Sequence, residues 1–267
     1  MLENPRSPRV RAVAKLTKRS ARQETGLFLL EGPQAAREAL AYRPDTLVEI
    51  FATPTALERH PDLRDTARDA GVEVVFTTEP VLDAMADTVT PQGIVAVARQ
   101  SPTSVRDVFA AAPRLVAICE EVRDPGNLGT IIRAADAAGA DAVVLTGRTV
   151  DPYNPKVVRA TTGSLFHVPL AVGGELESVV QRAHDAGLQV LAADVGGDDL
   201  LVARTEGVLA GPTAWVFGNE ARGLDEASVA LADRALRLPI FGRAESLNLA
   251  TAASVCLYES AFAQRVA

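Results

Sequence analysis

Short aliphatic and β-branched runs alternate along this chain with segments of helical spacing, and glycines punctuate the changeovers. That rhythm restricts the fold to the α/β class. It is clearest in the second half. An apolar strand at Leu115–Cys119 is followed by a helix at Gly129–Ala138 closed by Gly139, and a strand at Ala142–Leu145 ends at Thr146-Gly147. Further strands are predicted around Phe166–Val168, Gln189–Ala193, Ala214–Phe217 and Leu236–Leu238. Helices fall at Leu176–Ala186 and Ser246–Ala263. The first half repeats the pattern on a smaller scale. Strands are predicted at 26–32, Leu47–Ala52, Val72–Phe76 and Gly93–Ala98, with helices from Pro33 to Ala41 and near Ala56–Ala70.

A length of 267 residues fits two modest domains. We divide the chain into a basic arm at 1–22, a small α/β domain at 23–99, a linker at 100–113 and a larger α/β domain at 114–267. The net charge of −7 argues against a protein that coats nucleic acid indiscriminately. The arm nevertheless holds seven basic residues against Glu3, a net +6, which leaves −13 on the remainder. Arg9, Arg11, Lys15, Lys18 and Arg19 are therefore candidate phosphate contacts, because neutralising phosphates releases condensed counterions. A solvated helical terminus is the structural alternative. With 4% aromatic residues, a base-stacking platform is disfavoured.

Other classes are excluded by motif. No apolar run of membrane-spanning length occurs, and the first 25 residues lack the apolar core of a secretory leader. Cys119 and Cys256 form neither a disulfide framework nor a zinc set, which fits a reducing cytoplasm. His60, His167 and His184 have no metal-ligand spacing, so no metal is expected. Gly126-Asn127-Leu128-Gly129 has the wrong spacing for a dinucleotide fold, and no phosphate-loop signature is present.

Three polar loops at predicted strand ends remain, where open α/β sheets bind ligands. They are Asn127-Leu128-Gly129 through Arg133, then Phe217-Gly218-Asn219-Glu220, then Leu238-Pro239-Ile240 with Ser246-Leu247-Asn248. Each has a bland reading. Asn127 and Ser246 are natural helix N-caps, Asn248 can bond locally, Gly218-Asn219 is a possible turn and Glu220 a surface acid. Arg133, one turn into a small-residue helix, is costly there unless paired or reaching a ligand.

Taken together, these loops resemble the three ordered motifs of the SpoU/TrmH RNA 2′-O-ribose methyltransferases of the SPOUT superfamily, from about Leu115 to Leu257. The 28–32 segment, Phe-Leu-Leu-Glu-Gly, is similar to the start of the ribosomal-protein-like substrate-binding domain many members carry. The resemblance implies a C-terminal α/β trefoil-knot domain, a homodimer packed around the knot, and S-adenosylmethionine held mainly by backbone groups. The implied cofactor contacts are Thr146, Gly147, Phe217, Gly218, Asn219, Leu238, Ile240, Leu247 and Asn248. The implied catalytic set is Asn127, Arg133, Glu220, Ser246 and Asn248, acting on a ribose hydroxyl of RNA. Ribosomal RNA is preferred, because the first domain resembles that of large-subunit rRNA enzymes. A transfer-RNA target and a non-catalytic RNA-binding protein retaining the knot are the alternatives.

Overall fold

The computed structural model describes residues 1–266, which form two units. The first comprises Met1–Ser101 and Asp151–His167; the second comprises Pro102–Val150 and Val168–Ala267. The chain opens with α1 (Pro8–Lys15), α2 (Arg19–Thr25), β1 (Leu27–Glu31), α3 (Pro33–Tyr42) and β2 (Leu47–Ala52). Then come α4 (Pro54–Arg59), α5 (Pro61–Asp69), β3 (Glu73–Phe76), α6 (Glu79–Met85) and β4 (Ile94–Arg99). The expected single helix near 56–70 is two, because Pro61 restarts it at N1 after His60 leaves the helical region.

In the first unit the strands form a mixed sheet in the order β1-β4-β2-β3. Alternation sorts its side chains to two faces. Phe28, Leu30, Ile50, Ala52, Ile94 and Ala96 face α3 and α5, and Leu29, Phe51, Val95 and Val97 face the other way. The second face must also be covered, and α1 and α6 cover it. Val10 and Val13 of α1 and Leu16 just after it are buried there with Val81, Leu82 and Met85. The basic segment is thus a packed amphipathic helix rather than a trailing arm. Its Arg22 is not available to phosphate at all. At 1% exposure it donates to Asp151 Oδ2 through Nε (2.8 Å) and Nη2 (2.6 Å), and to the Leu16 and Thr17 carbonyls.

The second unit begins with α7 (Val105–Ala110), inside the expected linker, then β5 (Leu115–Glu120), α8 (Pro125–Ala138) and β6 (Ala142–Thr146). The next helix, α9 (Pro155–Thr161), belongs to the first unit, where Arg159 donates to Glu31 at 2.7 Å and to Asp87 at 3.0 Å. The chain then supplies β7 (Leu170–Val172), α10 (Leu176–Asp185), β8 (Gln189–Asp199), α11 (Leu200–Thr205), β9 (Thr213–Phe217), α12 (Glu226–Ala230), β10 (Arg234–Arg237) and α13 (Leu249–Val266). The predicted strand at Phe166–Val168 is instead a short 3₁₀ turn, Ser164–Phe166, and the strand starts after Pro169, whose carbonyl accepts from Val143.

All six strands are parallel, in the order β10-β8-β9-β5-β6-β7. Val116, Ile118, Val144, Val190 and Val216 pack on one side with α7 and α10. On the other, the Trp215 indole N–H donates to Ser260 Oγ of α13 at 2.9 Å, and α13 lies against α8. Parallel sheets need both faces covered in this way.

Candidate functional site

The sheet order decides which loops can meet. The exits of β8, β9 and β10 are neighbours, with β5 beside β9 and β6 one strand further. β8 carries a feature the sequence reading missed. Ala192 pairs with Ala235 but Asp198 pairs with Leu236, so residues 193–197 leave the ladder as an excursion next to Phe217. Val195 at its tip is exposed, and Asp194 Oδ1 accepts from the Gly196 N–H at 2.8 Å. The signal was Gly196-Gly197 inside a strand pattern, a mark of a bulge or close backbone approach. Thr146 and Gly147 stand at the β6 exit, on the far side of β5 from these three loops. Thr146 is fully buried, with its hydroxyl on the Cys119 carbonyl at 3.4 Å.

The local caps differ from the expected ones. α8 starts at Pro125, four residues early, and Asp124 is its N-cap, accepting from the Asn127 N–H at 2.8 Å. The Asn127 side chain is therefore released from capping. At α13 the cap is Asn248 rather than Ser246. Its Oδ1 accepts from Ala250 and Thr251 N–H at 2.9 and 3.2 Å, and Ser246 stays exposed in the preceding loop.

These adjustments bring three motifs into one hydrogen-bonded chain. Asn248 Nδ2 donates to Asn127 Oδ1 at 2.9 Å, and Asn127 Nδ2 reaches Glu220 Oε1 at 3.4 Å. The Glu220 carboxylate also accepts backbone N–H groups from Asp124 (2.9 Å) and Arg123 (3.2 Å). Asn219 Nδ2 donates to the Glu121 carbonyl at 2.9 Å, which ties the β9 exit to the β5 exit. Gly218 is required for this fold-back, since a Cβ there would lie 2.5 Å from the Gly223 carbonyl carbon. Glu220 thus buttresses the loop.

Arg133 does not sit where the sequence reading placed its cost. It is exposed, on the α8 stripe with Gly126, Thr130 and Ala137, and burial imposes no penalty on it. Its guanidinium has no hydrogen-bond or ion-pair partner among the described residues, so all its donors are free. By contrast, Glu120 at the β5 exit holds an Oε2 atom that is buried without a partner. Burial raises its pKa, and Glu121, Glu175 and Asp225 push the same way. Cys119, beneath the site, is driven up to about 12 by burial, so it is no nucleophile at neutral pH.

The cofactor set divides likewise. Phe217 is buried, Leu238 is half-buried, and Ile240 and Leu247 are exposed on the segment between β10 and α13, with Phe241 beside them. Apolar side chains next to a backbone-lined turn suit an adenine ring, which needs a slot and a few amide contacts. Of the basic residues of α1 and its flank, Arg9 is engaged by Glu49 and Glu73 and lies over the Phe51 ring. Arg11, Lys15, Lys18 and Arg19 are exposed and carry no ion pair among the described residues. No group of three or more metal-ligating side chains gathers among the described residues.

Comparison with known proteins bears on these geometries. Residues 114–258 match the SpoU rRNA Methylase family, and residues 7–96 match the MRM3-like substrate binding domain. The chain is 35% identical over 259 residues to the 23S rRNA (guanosine(2553)-2'-O)-methyltransferase RlmP of Bacillus subtilis (strain 168), covering 96% of this chain and 97% of that protein. The AdoMet-bound rRNA methyltransferase from Sinorhizobium meliloti superposes with a TM-score of 0.84 at 32% identity, over 97% and 96% of the two chains. The SpoU methyltransferase AviRb from Streptomyces viridochromogenes, in complex with AdoMet, gives 0.81 at 28% over 97% and 99%. By these likenesses the chain is an RNA ribose 2′-O-methyltransferase that uses S-adenosylmethionine. The chain belongs to the SpoU rRNA methylase family.

Proposed function

We propose that the protein methylates a ribose 2′-hydroxyl of 23S rRNA, with Arg133 and the linked Asn127, Glu220 and Asn248 as its working residues. The observation that carries this is the hydrogen-bonded chain from Asn248 through Asn127 to Glu220, which draws three separated loops to one place. S-adenosylmethionine supplies a methyl group on a sulfonium, already a strong electrophile. The protein's share is to align the hydroxyl and to ease loss of its proton. A guanidinium with pKa above about 12 does not act as a free base. Arg133, with all donors available, stabilises the developing alkoxide or holds the adjacent phosphate, so that the proton leaves to phosphate or water. Asn127, held by Asn248 and Glu220, orients the ribose, and exposed Ser246 reaches it from the last loop. Phe217, Gly218, Asn219, Leu238, Ile240 and Leu247 hold the cofactor, the 193–197 excursion forms a further wall, and Thr146-Gly147 closes the β6 side.

The 23S target follows from what RlmP is named for and from an MRM3-like substrate binding domain at 7–96. In this reading the C-terminal segment threads a trefoil knot. The enzyme works as a metal-free cytoplasmic homodimer. Val255, Tyr258 and Phe262 form one exposed apolar stripe on α13, which supports a subunit contact there. No helix among the described residues is long and apolar enough to cross a membrane. The test is transfer of labelled methyl to rRNA from a strain lacking the gene, followed by mapping of the protected ribose. Label found only in tRNA, or none with cofactor still bound, overturns the proposal.

A further inference from the structure

Two arginines from separate loops converge on one carboxylate next to the site. Arg123, between β5 and α8, donates to Glu121 Oε2 at 3.3 Å, and Arg222, in the turn after β9, donates to the same oxygen. Both guanidinium-bearing side chains stay more than half exposed, at 56% and 64%. Glu121 is held from behind. Its N–H donates to the Thr146 carbonyl at 3.1 Å and its carbonyl accepts from Asn219. Its φ of +51° is left-handed, a region where glycine sits without cost and a long side chain does not. An exposed ion pair returns little. The carboxylate is therefore placed here against the backbone's preference.

The second unit holds twelve basic residues against nineteen acidic ones, and here it brings two largely exposed guanidinium groups from separate loops to one carboxylate. The forked donors of arginine match the two free oxygens of a phosphodiester. Glu121 holds that pair in a converged arrangement, and Arg123 is one residue from the Asp124 N–H that anchors Glu220.

We infer that Arg123 and Arg222 form a clamp for one phosphodiester of the RNA substrate, with Glu121 occupying the clamp until RNA displaces it. The inference rests on the RNA reading above. It predicts opposite signs for neighbouring substitutions, which a purely structural ion pair does not. The full-length protein is titrated with a 23S rRNA transcript over a range of salt, and cofactor binding is followed by the fluorescence of the single tryptophan, Trp215. Arg123→Ala and Arg222→Ala each weaken RNA binding several-fold and lower the slope of log affinity against log salt by about 1. Glu121→Gln tightens binding and steepens that slope. Glu121→Gly, which also suits the left-handed backbone, does the same and guards against misfolding of the first variant. Cofactor affinity is unchanged throughout.

Arginine variants with wild-type RNA affinity, or Glu121 variants that bind RNA more weakly, overturn the clamp. Loss of cofactor affinity with RNA binding retained overturns it too, because the anion is then the cofactor's carboxylate. Wild-type protein without affinity for the transcript removes the RNA reading itself, and the clamp with it.

Discussion

Carboxylates stand at strand exits in both units, and their surroundings differ. Glu31, ending β1, is saturated: it accepts from the Asp87 and Thr88 N–H groups, the Thr88 hydroxyl and Arg159. Glu120, ending β5, keeps a buried oxygen with no partner, between the exits of β9 and β6. Around Glu31 and Arg22 the first unit uses its charges to hold itself together, while Arg11, Lys15, Lys18 and Arg19, without an ion pair among the described residues, lie on the exposed face of the N-terminal segment. The second leaves groups unspent, chiefly the guanidinium of Arg133. Unspent polar groups at the carboxyl ends of parallel strands mark where a ligand must supply the missing partners.

The sharpest way to break this contrast is Arg133→Ala. The exposed guanidinium makes no hydrogen bond or ion pair among the described residues, so melting temperature and cofactor affinity hold while methyl transfer falls by ~10²–10³, measured by single-turnover assay. Retained activity would falsify the division between spent and unspent charges. In the first unit the converse holds. Asp151→Ala strands the buried Arg22 guanidinium without its carboxylate, and the loss of stability is about 3 kcal/mol, read by chemical denaturation. A change within error would show that the Leu16 and Thr17 carbonyls suffice.

The junction between loops gives a smaller effect. Asn248→Ala removes both the α13 cap and the link to Asn127, so a stability cost of about 1 kcal/mol accompanies a drop in kcat. Asn248→Ser separates the two, since serine caps but does not reach Asn127. On α1 and its flank, single replacements of Arg11, Lys15, Lys18 or Arg19 by Gln each lower the RNA salt slope by about 1, and an unchanged slope marks that residue as a solvated surface charge. Deleting residues 1–22 is no test, because Val10, Val13 and Leu16 would be lost from the core.

The α/β rhythm, most strand positions and the three polar loops were legible because each depends on local spacing, whereas the strand expected at Phe166–Val168 is a 3₁₀ turn. What escaped depends on contacts distant in sequence. Nothing near Arg9 shows that Val10, Val13 and Leu16 have a sheet face to cover, so a helix read as a charged arm. Asp124 outcompetes Asn127 for the cap because Pro125 fixes the first helical residue, a choice visible only once Glu220 arrives to take the Asn127 amide. Exposure of Arg133 follows from which face of α8 meets α13, and this is a property of packing.

Glu120 offers the finest test of the contrast. Its raised pKa means that the folded state holds the proton more tightly than the unfolded chain. Its contribution is therefore fully present below the ordinary glutamate range and is lost as pH rises through the folded value. Glu120→Gln removes the charge that burial and neighbouring Glu121 oppose. Melting curves from pH 4 to pH 8 should show the variant slightly the more stable at neutral pH, with the gap closing on acidification. The same substitution at Glu31 runs the other way, because Arg159 and the two backbone N–H groups lose a charged acceptor. If both variants shift in the same direction at pH 7, the two carboxylates do not differ in kind.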